Sequence, residues 1–120
     1  MRYFLSLKLE AEPEQVSQIT NILGVEPNSP PDNWSYELVV NDIENNNFVE
    51  YFMGILEGRF DKLSEIGISR DDISIWMLYE YEGECNIEFK ASDLKLLGDN
   101  GISLCISCYE AGGYITFNTD

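Results

Sequence analysis

Apolar and polar positions alternate from the start of the chain. Tyr3, Leu5, Leu7 and Leu9 fall on one side of an extended backbone, and Phe4, Ser6 and Lys8 on the other. This period of two predicts a half-buried strand over residues 2–9. Glu12-Pro13-Glu14-Gln15 then opens a helix, with proline in the first turn and acids near the positive end of the helix dipole. Val16, Ile19 and Leu23 recur at helical spacing, and Gly24 closes the helix. Pro27, Pro30 and Pro31 make the next segment a loop. Alternation returns at Trp34, Tyr36, Leu38 and Val40, set against Ser35, Glu37 and Val39. A polar turn from Asn41 to Asn47 follows, and Asn47 with Glu50 reads as a capping box. Phe48, Phe52, Ile55, Leu56, Leu63 and Ile66 mark the buried stripe of one long helix. Gly54 and Gly58 lie within that stripe, and Gly67 ends it.

The longest strand is expected over residues 72–81. Ile73, Ile75, Met77, Tyr79 and Tyr81 share one side, and Ser74, Trp76, Leu78 and Glu80 the other. Glu82-Gly83-Glu84 has the size of a hairpin turn, and Cys85, Ile87 and Phe89 read as the returning strand. Ser92 is placed to cap a short third helix containing Leu94 and Leu97, with Gly101 after it. Ile102, Leu104, Ile106 and Cys108 alternate with Ser103, Cys105, Ser107 and Tyr109. Ala111-Gly112-Gly113 then turns the chain into a last short strand from Tyr114 to Phe117. The predicted order is β-α-β-α-β-β-α-β-β. It points to a single α+β domain over residues 1–120, a mostly antiparallel sheet with about three helices on one face. The strand–helix–Gly–strand pattern of residues 2–40 recurs over 85–109, which raises a ferredoxin-like duplication.

Composition supports folding but not a named reaction. Apolar residues make up 44% and charged residues 24%, enough apolar surface to offset the entropy of ordering a chain of 120 residues. No run approaches the roughly 18 apolar residues of a membrane span. The N-terminal apolar stretch is short, and Glu10, Glu12 and Glu14 follow it, so a cytoplasmic protein is expected. The three cysteines, Cys85, Cys105 and Cys108, are an odd count and are expected to be reduced.

Charge changes the picture more. Asp and Glu total 22 against 7 Lys and Arg, a formal net charge of −15, and there is no histidine. The commonest general base and the commonest metal ligand are therefore missing. So acidic a chain repels nucleic acid and anionic membrane, and neither is expected as a partner. The acidity is not a tail. Residues 1–60 hold ten acids and three bases, and residues 61–120 hold twelve acids and four bases.

Several constellations invite chemistry. Cys105-x-x-Cys108 has redox or zinc spacing, but residues three apart on a strand point to opposite faces, and only Cys85 remains as a further soft ligand. The two thiols read as small residues in or near the core. No metal site and no cofactor are expected. Gly98-Asp99-Asn100-Gly101 reads as a helix end rather than a calcium loop. A glycosidase-like carboxylate pair would need a cleft, which nothing in the sequence marks. Trp34 reads as a core residue, with a partner anchor as the rival.

The sum of the acids is harder to dismiss than any one of them. A net charge of about 2 to 8 keeps a small domain soluble, and the excess here destabilises the folded body by self-repulsion. A basic partner would relieve it. Tyr79, Glu80, Tyr81, Glu82 and Glu84 form one candidate contact, the tyrosines giving rigid area and the acids steering. The parity of Tyr79 and Tyr81 with Ile73, Ile75 and Met77 equally allows both rings to pack inward. Asp42 and Glu44, before the long helix, and Asp71 and Asp72, before the longest strand, are the other candidate acidic surfaces.

Three segments carry a resemblance: Pro13-Glu14-Gln15-Val16 through Ile22-Leu23-Gly24-Val25-Glu26-Pro27, then Trp34-Ser35, then Leu96-Leu97 through Gly101-Ile102-Ser103-Leu104 to Tyr109. The chain resembles a bacterial α+β domain family of unassigned function with a helix ending in Leu-Gly-x-x-Pro and a late Leu-Gly-Ile-x-Leu strand. It departs from the late motif, because Asp99 and Asn100 separate Leu97-Gly98 from Gly101-Ile102. That family includes immunity proteins of contact-dependent growth inhibition and other polymorphic toxin systems, and it offers no catalytic residues to carry over. The resemblance implies a non-enzymatic immunity protein that neutralises a basic toxin domain of nuclease or RNase type. A monomer is expected over a homodimer. The rivals are a small enzyme using surface or cleft carboxylates and a homo-oligomeric regulatory binding domain.

Overall fold

In the computed structural model, residues 2–28, 33–43 and 46–110 are described. Their elements run β1 (Tyr3–Leu9), α1 (Pro13–Leu23), β2 (Trp34–Val40), α2 (Phe48–Leu56), α3 (Phe60–Glu65), a 3₁₀ turn (Arg70–Asp72), β3 (Ile73–Tyr81), α4 (Ala91–Asn100) and β4 (Ser103–Glu110). The chain is α+β, with a four-stranded mixed sheet in the order β2-β1-β3-β4. β1 runs antiparallel to both β2 and β3, and β3 runs parallel to β4. The last strand expected at Tyr114–Phe117 lies outside the described residues.

Alternation decides which face of the sheet is buried. Leu5, Leu7 and Leu9 of β1 and Ile73, Ile75 and Met77 of β3 form one core with Ile19 and Leu23 of α1, Phe52 and Leu56 of α2, Leu63 of α3 and Leu97 of α4. All four helices therefore pack on the same face. The core takes in no side chain from the opposite face, where Phe4, Val39, Trp76, Leu78 and Tyr109 lie. Trp34 is fully buried, as its spacing predicts, and donates its indole N–H to the Thr20 hydroxyl at 3.0 Å.

The predicted long helix is two helices. Glu57 leaves helical geometry, and Gly58 adopts φ +76°, a left-handed conformation that side chains with a Cβ resist. Leu56 and Leu63 are seven residues apart, close to two helical turns, so an unbroken stripe and a broken one look the same in sequence. Arg59, just past the break, joins the helix ends. Its Nε donates to the Ile22 carbonyl at 3.0 Å and its Nη1 to the Ile55 carbonyl at 3.1 Å. Asn47 precedes α2 but makes no side-chain cap, and Lys90, not Ser92, holds the capping position of α4.

The expected returning strand at Cys85–Phe89 does not form. Both edges of β3 are occupied, one by β1 and the other by β4, so no hairpin can pair with it. The segment instead begins the crossover through α4 to β4. It keeps its parity, because Cys85, Ile87 and Phe89 pack against the core. The apparent duplication fails for the same reason: β1-α1-β2 joins antiparallel neighbours, whereas β3-α4-β4 joins parallel ones.

Candidate functional site

Register gathers several candidate acids at one end of the sheet. Tyr3 opposes both Val40 and Tyr79, so the chain after β2 and the chain after β3 leave the sheet at the same end. Asp42 follows β2, and Glu80, Tyr81, Glu82 and Glu84 lie at and beyond the end of β3. Glu110 ends β4 opposite Tyr81 and adds a further acid there. Asp71 and Asp72 sit in the 3₁₀ turn at the opposite end, about 27 Å from Glu80 at about 3.4 Å per strand residue. Asp72 is engaged within the fold, its carboxylate accepting the Ser69 N–H at 2.9 Å. Glu44 lies outside the described residues.

The tyrosines of the candidate contact face inward. Tyr79 is only 6% exposed, its ring 5.6 Å from that of Tyr3 and 6.3 Å from that of Tyr81, and Tyr81 is half-buried. The Tyr79 hydroxyl lies 2.9 Å from the Cys85 sulfur. That hydrogen bond, then burial, then a hydrogen bond with Cys108 push the phenol's pKa well above its ordinary value. Tyr79 thus anchors the acidic end rather than presenting a contact. Glu80, Glu82 and Glu84 are exposed, and among the described residues none of the three is held in an ion pair.

A cleft of about 620 Å³ opens beside this end, between the start of β1, residues 41–43 and 46–47, the first residue of α2, the 86–90 segment and the first turn of α4. Among the described residues its carboxylates are Asp42, Glu88 and Asp93, its amides Asn41, Asn46, Asn47 and Asn86, and its one cation Lys90. Tyr3, Phe48 and Phe89 supply aromatic wall. Of the sequence candidates described, Asp42 alone lines it. Neither Asp93 nor the asparagines are site candidates in the sequence, because the cleft is built by the crossover segment meeting the β2–α2 loop, a contact between distant parts of the chain.

The basic side chains do little to neutralise these acids. Arg2 lies over the Phe4 ring at 5.7 Å and Lys8 over the Trp76 ring at 5.6 Å, both on the face away from the helices. Arg59 binds helix carbonyls. Arg70 stacks on Phe60 at 3.9 Å and donates to the Asn100 carbonyl at the end of α4 at 2.9 Å. Lys95 pairs with Asp99 at 2.7 Å, one turn away on α4. Cations at helix C-termini are favoured by the dipole, so Arg59 and Arg70 stabilise the helices, and among the described residues neither forms an ion pair with Glu80, Glu82 or Glu84. Among the described residues no cluster of metal-ligating side chains occurs, and no helix is long and apolar enough to cross a membrane. Comparison with protein-family models, curated proteins and solved structures finds no match to this chain.

Proposed function

We propose that this chain is a non-catalytic immunity protein, which binds and neutralises a basic toxin domain of nuclease or RNase type through its acidic end. The observation that carries the reading is that Glu80, Glu82 and Glu84 are exposed and, among the described residues, held in no ion pair, at an end of the sheet that Asp42 and Glu110 also share. Holding like charges together costs stability, and a cationic partner recovers that cost on docking. A nuclease must attract nucleic acid, so its binding surface is basic; an acidic body on that surface excludes the substrate by occupancy and by repulsion.

The experiment is rescue. Cells killed by expression of the C-terminal region of the protein encoded by the gene beside this chain's own are expected to survive when this chain is co-expressed, and the two proteins to co-purify at low salt. Cell death at an unchanged rate, with no complex, overturns the reading.

The cleft favours a second reading, a small enzyme or binding protein using Asp42, Glu88 and Asp93. Its volume falls within the range of small-molecule sites. Under that reading Asp93→Asn abolishes function and Glu80→Lys leaves it unchanged; the immunity reading expects Asp93→Asn to leave protection unchanged and Glu80→Lys to slow binding.

A further inference from the structure

Two of the three cysteines flank Tyr79. Cys108 is the β4 neighbour of Tyr79 in the parallel register, so their side chains leave the same face of the sheet. Cys85 reaches the Tyr79 hydroxyl from the crossover segment, 2.9 Å from sulfur to oxygen. Cys105 is three residues before Cys108 and opposes Trp76, which puts it on the other face. Geometry therefore separates the Cys105-x-x-Cys108 pair that the sequence suggests and joins one that it does not.

We propose that Cys85 and Cys108 are an oxidisable pair that closes to an intramolecular disulfide on exposure to a peroxide. Both cysteines neighbour Tyr79, Cys85 at its hydroxyl and Cys108 beside it across the β3–β4 ladder, so the bond requires an approach of the crossover segment rather than a refolding. The side able to move is Cys85. Its segment carries no β-ladder, whereas Cys108 is fixed in a strand. Disulfides need their Cα atoms within about 7 Å, and displacement of the crossover segment toward β4 supplies that closure. Cys108 is exposed and meets the oxidant first. Its thiolate attacks one oxygen of the peroxide, the O–O bond breaks, the sulfur becomes a sulfenic acid and the other oxygen leaves as water. The Cys85 thiolate then attacks that sulfur, the S–S bond forms and a second water departs. The two thiols lose one proton and one electron each, and the peroxide gains both pairs. Residues 86–89 line the acidic cleft immediately after Cys85, so the bond tethers one wall of that cleft to the sheet edge.

The test is peptide mapping of the full-length protein after treatment with hydrogen peroxide, with free thiols alkylated before tryptic digestion under non-reducing conditions. The expected product is peptide 71–90 linked to peptide 96–120, with the alkyl group on Cys105 located by fragmentation. Cys105→Ser is expected to form the link as the native chain does; Cys85→Ser and Cys108→Ser are expected to lose it. A link through Cys105, a link between two molecules, or separate over-oxidation of Cys85 and Cys108 without a link overturns the proposal. Mapping of the native chain decides the matter even where a serine variant fails to fold.

Discussion

Thr20 does two jobs with one hydroxyl. It donates to the Val16 carbonyl one turn back at 3.0 Å and accepts the Trp34 indole N–H at 3.0 Å. Trp34 has no solvent to turn to, so removing the acceptor leaves a buried donor unsatisfied. Thr20→Val is expected to lower stability by about 1–3 kcal/mol and Thr20→Ser by much less, read from urea denaturation. Tyr79 makes a pH-dependent prediction. Its phenol pKa is raised in the folded state by the Cys85 hydrogen bond, by burial and by Cys108. The folded protein therefore holds this proton more tightly than the unfolded chain, in which tyrosine titrates near 10. The contribution to stability is fully present below about pH 10 and is lost as pH rises from there toward the folded value. Urea titrations above pH 10 are expected to show a steeper loss for the native chain than for Tyr79→Phe. Residue-scale features of this kind were partly legible. The parity of Trp34 placed it in the core and that of Tyr79 matched the core positions of β3. Their hydrogen-bond partners were not legible, because Thr20 and Cys85 reach them only through tertiary contact.

At the scale of elements, two glycines in one apparent helix have opposite meanings. Gly54 lies inside α2, exposed, with open space where a Cβ would point; Gly58 also has open space but sits at φ +76°. Gly54→Ala is expected to stabilise the protein by about 1 kcal/mol, because it removes the glycine penalty in a helix. Gly58→Ala is expected to destabilise it by about 1–2 kcal/mol, the cost of a left-handed residue with a Cβ. Thermal or urea midpoints check both, and stabilisation by both substitutions would restore the single helix that the stripe suggests. Strand positions and the buried face were readable because the period of two is unbroken through β1 and β3. Pairing was not. Whether the chain after Gly83 returns as a strand depends on which edges of β3 are free, and β4 takes the second edge from the far side of the 91–100 helix. Local pattern carries no information about an edge filled by a later segment.

For the whole molecule, the excess of 22 acids over 7 bases was legible outright, and its arrangement was not. Charge counts cannot show that Arg59 and Arg70 serve helix ends, or that Asp71 and Asp72 lie far from Glu80, Glu82 and Glu84. Self-repulsion of this order is screened by salt, with a Debye length of about 30 Å at 0.01 M and about 8 Å at 0.15 M. The urea midpoint of the isolated protein is therefore expected to rise with sodium chloride over that range. The central claim is that the exposed carboxylates at the end of β3 steer a cationic protein into place. Stopped-flow association with the toxin domain tests it most directly, comparing the native chain with the Glu80→Lys, Glu82→Lys, Glu84→Lys triple variant across ionic strength. An on-rate that falls steeply with salt for the native chain, and is lower by on the order of tenfold in the variant at low salt with its stability little changed, is the expected result. Equal on-rates for the two proteins, independent of salt, would contradict the account.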